Sequence, residues 1–159
     1  MILPPGPRRW LLGRLLRRHA WWYEPDFVIG DPADPYLRRW WVIPRNPVFN
    51  LYLHQFLRSD DDRALHDHPW ASVSVILHGS YTEILPDGPR HRPEGWVGAR
   101  GPRAAHRVQL ADGGLPVWTL FITGPRVREW GFHCPSGWRR WQDFVAPTPG
   151  GNTTGRGCE

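Results

Sequence analysis

The stretch "ALHDHPWASVSVILHG", residues 64–79, decides how the rest of the chain is read. From Ser72 to Val75 small hydroxyl residues alternate with branched apolar ones, the period-two pattern of a strand whose faces differ. At its mouth stand His66 and His68, two residues apart, so both imidazoles project to one side of such a strand. Imidazole is neutral near pH 7 and keeps an in-plane lone pair, which suits a divalent transition ion. Two such donors do not make a durable site. A third is offered by His106, which follows the Gly101–Pro102 turn in "GWVGARGPRAAHRVQL", residues 95–110. Asp67 should point to the opposite face from its neighbours and is not expected to be a ligand.

Outward from this stretch the chain reads as many short strands. Its 159 residues fit one domain, and 18 prolines with 17 glycines argue against a helical bundle. "LRRWWVIPRN" predicts a strand ended by Pro44. "VFNLYLHQFL" alternates, with Val48, Asn50, Tyr52, His54 and Phe56 on one face and Phe49, Leu51, Leu53, Gln55 and Leu57 on the other. "SYTEIL" is expected to form a hairpin with the 72–78 strand, and "PVWTLFITG" to be a further strand with Trp118 and Phe121 on opposite faces. "EPDFVIGDPADPY" and "RSDDDR" read as loops and "DGG" as a turn, while "PRVREWGFHCPSGWRRWQDF" reads as a cover or a last strand with a structural corner at His133–Cys134. Turn signals at such intervals predict an all-β sandwich or barrel. The expected division is a basic amphipathic helix over 1–24, a barrel over 25–145 and a disordered tail over 146–159.

The charge is uneven. Residues 1–23 hold Arg8, Arg9, Arg14, Arg17 and Arg18 with no acid, and the remainder balances fifteen arginines against fifteen acids. The chain has no lysine, so arginine abundance by itself says little about nucleic acid. No specific nucleic-acid binding is expected from the neutral barrel, which leaves the basic helix as the part suited to a membrane surface or a nucleic acid. Leu11, Leu12, Leu15, Leu16 and His19 share one arc of that helix, opposite Arg14, Arg17 and Arg18. Cys134 and Cys158 do not amount to a disulfide scaffold. With neither a secretory signal nor a membrane span in the sequence, a cytoplasmic location is expected.

The two histidine stretches together resemble the cupin superfamily. Its first motif places His-x-His after a glycine, a glutamate three or four residues on, and a glycine after the strand; its second is a Pro-x-Gly-like turn followed by a histidine. Here His66, His68 and Gly79 match the first, while Gly95, Gly101–Pro102 and His106 match the second, over roughly residues 48–123. The glutamate position falls on Ser72 or Val73, so the resemblance implies the three-histidine variant seen in thiol-dioxygenase-like cupins. It implies a double-stranded β-helix, or jelly-roll barrel, holding one divalent metal at His66, His68 and His106. Fe(II) is the expected ion, with Zn, Mn or Ni as alternatives, and an oxygenase acting on a small molecule is the expected activity. A non-redox cupin isomerase or epimerase, and a non-catalytic module working through its basic helix, stay open.

Further candidates surround this core. Tyr52 and His54 have inward parity and could act on a metal-bound substrate. Trp70, Ser72 and Arg107 are expected to line the substrate pocket, with Arg103 beside them suited to an acidic ligand. Glu83 could lend a carboxylate to the cavity, although a solvent-facing position is the reading preferred for it. Cupins often dimerise through sheet edges, and "LRRWWVIP" would suit such a homodimer contact.

Overall fold

A computed structural model of the chain describes residues 1–31, 33–60, 64–111, 114, 116–145 and 157–158. The chain opens with helix α1 (Pro5–Leu15), continued by a wider π-turn over Leu16–Ala20. Among the described residues twelve strands follow: β1 (Phe27–Asp31), β2 (Asp34–Trp41), β3 (Asn50–Phe56), β4 (Leu65–His66), β5 (Ser72–His78), β6 (Tyr81–Leu85), β7 (Gly88–Arg92), β8 (Val97–Arg100), β9 (Arg107–Gln109), β10 (Val117–Thr123), β11 (Gly131–Cys134) and β12 (Gly137–Arg140). A short helix, α2 (Trp141–Phe144), follows β12.

The strands form a six-stranded sheet in the order β1-β2-β3-β10-β5-β8 and two three-stranded sheets, β12-β11-β4 and β7-β6-β9. All pairings are antiparallel. The two small sheets meet where His66 and His106 exchange both backbone hydrogen bonds, each at 2.9 Å. This seam makes them one face of a jelly roll opposite the large sheet. The expected all-β jelly-roll barrel with an N-terminal helix is the observed architecture.

Side-chain alternation divides the large sheet cleanly. Its inward face runs in rows: Leu37–Phe56–Val117 first, then Arg39–His54–Thr119–Ile76, then Trp41–Tyr52–Phe121–Ser74. The first row joins Ile76, Tyr81, Val108 and Leu110 in an apolar floor. At about 1.5–3 kcal/mol per large apolar side chain removed from water, this cluster is a major source of stability. The outward face holds Trp40, Leu53, Val75 and Leu77, with Trp118 and Leu120 beside them, and here α1 docks through Leu15, Leu11, Leu12 and Leu16.

The helix is therefore packed on the barrel, with Arg9, Arg14, Arg17 and Arg18 exposed. Its amphipathicity is incomplete. Arg8 is buried and paired with Glu94, while Trp10 faces solvent at 62% exposure. A partner supplied by the barrel can thus bury a charge that the helical period would have left outside. Residues at the very start are tied in as well, through Leu3 N to Gly95 O and Val97 N to Met1 O. Among the described residues no helix is long and apolar enough to cross a membrane.

Three local expectations need correction. The segment expected as a loop before Tyr36 is a hairpin, β1 with β2, because Gly30 at φ +99° allows a bulge in the ladder. The β6 strand does not pair with β5. Gly79, at φ +80°, turns the chain across to the other sheet, and a Cβ there would lie 3.1 Å from Val117 Cγ2. The sequence shows a turn at this point but not which sheet receives the next strand.

The third correction concerns the cysteines. Cys134 and Cys158 are joined in a disulfide with Cα atoms 5.4 Å apart. Residues 146–156 and 159 of the expected disordered tail lie outside the described residues, as do Asp61–Arg63 of the "RSDDDR" loop and Asp112–Gly113 of the "DGG" turn. Gly157 and Cys158, however, are held: Gly157 N donates to Phe144 O at 3.0 Å, and Gly157 O accepts from Arg139 at 2.6 Å. The cystine packs beside Ala64, Phe132 and Phe144. Such a bond and a reducing compartment pull in opposite directions. Closing a loop over a separation of 24 residues corresponds to about 3 kcal/mol in the chain-entropy account. Cys158→Ser is therefore expected to lower Tm by roughly 10 °C in thermal unfolding. An unchanged melt would show that the bond contributes nothing to the fold.

Candidate metal centre

His66 sits on β4, His68 follows in the segment leading to β5, and His106 immediately precedes β9. The pairing of β4 with β11 fixes His66 against Phe132, and the backbone bridge fixes it against His106. The strand ends before Pro69, so His68 is not on the same regular strand as His66. It reaches the same side nonetheless. Asp67 lies between them, 1% exposed, accepting from Gly131 N at 2.9 Å, Trp138 Nε1 at 3.0 Å and Arg128 at 2.8 Å, with His133 Nε2 at 3.2 Å. Pulled outward by these four groups, Asp67 acts as a staple that presents its two neighbours to the interior. It is not part of the histidine cluster.

The donor nitrogens of His66, His68 and His106 all lie within 4.8 Å of one another. Nε2 of His68 and Nε2 of His106 are 2.9 Å apart. Two nitrogens each about 2.1 Å from one ion and at right angles around it would be about 3 Å apart, so this spacing fits a first-row metal. Glu83, fully buried on β6, takes Nδ1 of His106 at 2.8 Å. That contact holds the proton on Nδ1 and turns the Nε2 lone pair to the centre, the usual service of a carboxylate behind a ligating histidine. Asp60 approaches Nδ1 of His66 at 3.5 Å.

The environment also keeps two of the donors, His68 and His106, neutral. Burial first, then His66, His106, Arg100 and Arg39, holds the His68 imidazolium well below its ordinary range. Burial pulls His106 down to about 4 against the opposing hydrogen bond it donates to Glu83. For Glu83 burial works upward, but His106, Arg100 and Arg92 outweigh it and hold the carboxyl at about 2. Glu83 is thus an anion that binds Arg100, Arg92 (2.8 Å) and His106 at once. The preferred solvent-facing reading of Glu83 is wrong. Its strand alternation with buried Tyr81 was the signal for an inward position.

The other expected residues fall in and around this space. Trp70 stacks on His68 with ring centroids 6.4 Å apart. Ser72 faces inward, and among the described residues neither its hydroxyl nor the Trp70 indole N–H finds a hydrogen-bond partner. Tyr52 is buried one row above His54. His54 is outside the triad: its Nε2 accepts from Arg39 Nε at 2.8 Å, and Phe121 lies between it and His68, at 5.1 and 6.0 Å. Arg107 neighbours His106 on β9, where alternation directs it to the opposite side. The arginines that do face the interior, Arg39 and Arg100, were not singled out by the sequence.

Burial, and then Arg39, keeps His54 far below its ordinary value. The unfolded chain accepts a proton at this residue near pH 6.5, and the folded chain refuses it. Stability from this source is complete above about pH 7 and declines as pH falls, by about 1.4 kcal/mol per unit below 6.5. Thermal melts at pH 7.5 and 5.5 are expected to show the loss, with a shallower fall in His54→Gln. Equal melting temperatures at both values would contradict it.

The fold is a double-stranded β-helix with a three-histidine cluster inside, the fold that cupin proteins share. Comparison with solved structures agrees. A cupin-2 domain from Rhodospirillum rubrum superposes with a TM-score of 0.54 at 10% identity, covering 70% of this chain and 76% of that one. The DMSP lyase DddQ from Ruegeria pomeroyi DSS-3 matches with a TM-score of 0.54 at 15% identity over 69% of this chain. The alignment spans 57% of the lyase. The Fe(II) form of HppE matches with a TM-score of 0.53 at 14% identity, covering 63% and 56% of the two chains. Identities this low establish the fold alone. No family model matches the sequence, and no curated protein resembles it in sequence.

Proposed function

We propose that the chain is a metal-dependent cupin oxygenase acting on a small molecule, with one divalent ion, Fe(II) first, held by His66, His68 and His106. The observation that supports this most is the convergence of three imidazoles, two of them, His68 and His106, kept neutral by burial and one of these oriented by Glu83. Bound there, such an ion supplies a Lewis-acidic, and for iron redox-active, centre with coordination positions left for other ligands. Three neutral protein ligands leave its full positive charge to be balanced by what binds next. Trp70 and Phe121 flank His68 and limit water beside it. Tyr52 offers a hydroxyl on the same inner face, suited to donate a hydrogen bond to a bound molecule.

The similar structures include a DMSP lyase as well as Fe(II) HppE, so non-redox chemistry on the same scaffold is the reading to exclude. Two measurements test the proposal in order. Purified protein is reconstituted anaerobically with Fe(II), Mn(II), Ni(II) and Zn(II), and bound metal is counted. A stoichiometry near one for iron is expected, and failure to retain any of the four removes the metal reading. Dioxygen uptake with candidate substrates then separates an oxygenase from a lyase or isomerase, which would turn over equally well without oxygen.

A further inference from the structure

The face of α1 turned away from the barrel is made of indoles and guanidiniums. Leu11, Leu12, Leu15 and Leu16 are taken up by the packing on the large sheet. The side left outside carries Trp10, Arg14, Arg17, Arg18 and Trp21, which recur three or four residues apart with Arg17 and Arg18 side by side. The π-turn over Leu16–Ala20 continues the coil as far as Trp21, whose N–H bonds back to Leu16 O at 2.9 Å. Arg14 lies 5.1 Å over the Trp10 ring, and Arg14, Arg17 and Arg18 border one surface depression. The aromatic run goes on past the helix. Trp10, Trp21, Trp22 and Tyr23 are 62%, 60%, 78% and 68% exposed.

A single exposed apolar side chain is ordinary, whereas four large rings on one short segment form a patch of the kind that meets a partner. Charge says which sign the partner carries. No acid occurs before Glu24. Arg9, Arg14, Arg17 and Arg18 are exposed, and among the described residues none of them forms an ion pair. The first acids, Glu24 and Asp26, lie beyond the aromatic run, and Asp26 is turned onto Trp41 N at 2.7 Å. The surface therefore complements a polyanion. Its shape decides which one. Nucleic-acid bases stack on rings set along a groove or channel, but here the rings and guanidiniums project from the outside of one helix. A bilayer of anionic lipid offers phosphates to the guanidiniums and an interfacial zone to the indoles in a single plane.

We propose that the outer face of α1, with the Trp21–Tyr23 segment after it, holds the protein on the surface of an anionic lipid bilayer. Arg14, Arg17 and Arg18 lie at the lipid phosphates, and Trp10, Trp21 and Trp22 sit in the headgroup zone. The helix stays docked on the barrel through its leucines, so only ring tips enter the lipid and attachment is reversible. It is also independent of any ion at the histidines, because α1 covers the outward side of the large sheet while the triad lies inside the barrel.

Co-sedimentation of the full chain with vesicles tests this. The vesicles contain phosphatidylcholine and phosphatidylglycerol at about 7:3, in roughly 0.15 M salt. Half of the protein is expected on them at roughly 0.1–1 mM accessible lipid, and little on phosphatidylcholine alone. Arg14→Gln, Arg17→Gln and Arg18→Gln combined should weaken binding about 100-fold, at about fivefold for each arginine near the surface. Lysine at the same three positions keeps the charge and should keep most of the binding. Trp21→Ala with Trp22→Ala should weaken it about tenfold or more without changing its salt dependence. All of these side chains are exposed, so the melting temperature should stay that of the parent, which separates a lost contact from a lost fold.

No sedimentation with the anionic vesicles up to about 5 mM lipid overturns the proposal, as does undiminished binding in either the glutamine or the alanine variant. Should the tryptophan pair fail to fold when replaced, Trp10→Ala is read in the same way. A single-stranded RNA of about 20 nucleotides is titrated in parallel as the competing polyanion. RNA bound more tightly than the anionic vesicles assigns the surface to nucleic acid and also overturns the proposal. Weaker RNA binding, with vesicle attachment that depends on both the arginines and the tryptophans, is the expected result.

Discussion

Glu83→Ala is expected to be the most damaging single substitution in the protein. The carboxylate is fully buried and joins His106, Arg92 and Arg100. Removing it leaves two arginine charges facing each other across the space and one imidazole N–H without an acceptor. Breaking a buried ionic cluster from one side costs about 3–5 kcal/mol, because the surviving charges keep the desolvation penalty and lose the attraction. In denaturant titration the midpoint should fall accordingly. A second effect is separable from stability: His106 loses the contact that holds its tautomer, and metal affinity should drop about 10–100-fold. Glu83→Gln retains an acceptor for His106 and should lose less of both. Undiminished stability in Glu83→Ala would mean that the cluster is wet and open, contrary to its burial.

His106→Ala has the larger expected effect on metal binding. It takes away one of the three donors proposed for the ion, so affinity should fall by more than the roughly 100-fold upper range seen when a ligand's supporting partner is lost. Competition with a chromophoric chelator measures this directly. His54→Ala makes the informative control, since His54 is an equally interior histidine whose lone pair is committed to Arg39. Its metal affinity should stay within a few-fold of the parent. If the two variants lost affinity alike, the triad would be wrongly composed.

Part of the site was legible because residue spacing is local: two histidines one residue apart and a third after a turn marked His66, His68 and His106 as candidate donors. The first two reach one side although no regular strand carries both, because Asp67 between them is held by its own partners. The groups that tune them were less visible. Glu83 is 23 positions before His106, and only the crossing of β6 into the second sheet brings them within 2.8 Å. Arg39 and Arg100 were hidden for a different reason. The large sheet is covered by α1 on one side and filled on the other, so both faces of β2 and β3 are rich in apolar and aromatic residues. Hydropathy then cannot say which parity is inward.

The disulfide and the buried Arg8 show the same limit from the other end of the scale. Cysteine spacing says nothing about proximity when a folded hairpin and a returning tail create it. Helical periodicity places Arg8 relative to its own helix, but Glu94 waiting on the barrel determines its burial.

What the linear order of residues determined by itself is the β class and the alternation of side chains within each strand, both of which depend on contacts a few residues apart. What tertiary structure alone decided is the sheet that receives each strand, the meeting of His106 with His66 and His68, the carboxylates behind the histidines and the cystine. These depend on which distant groups share a desolvated space, and only the closed barrel creates that space.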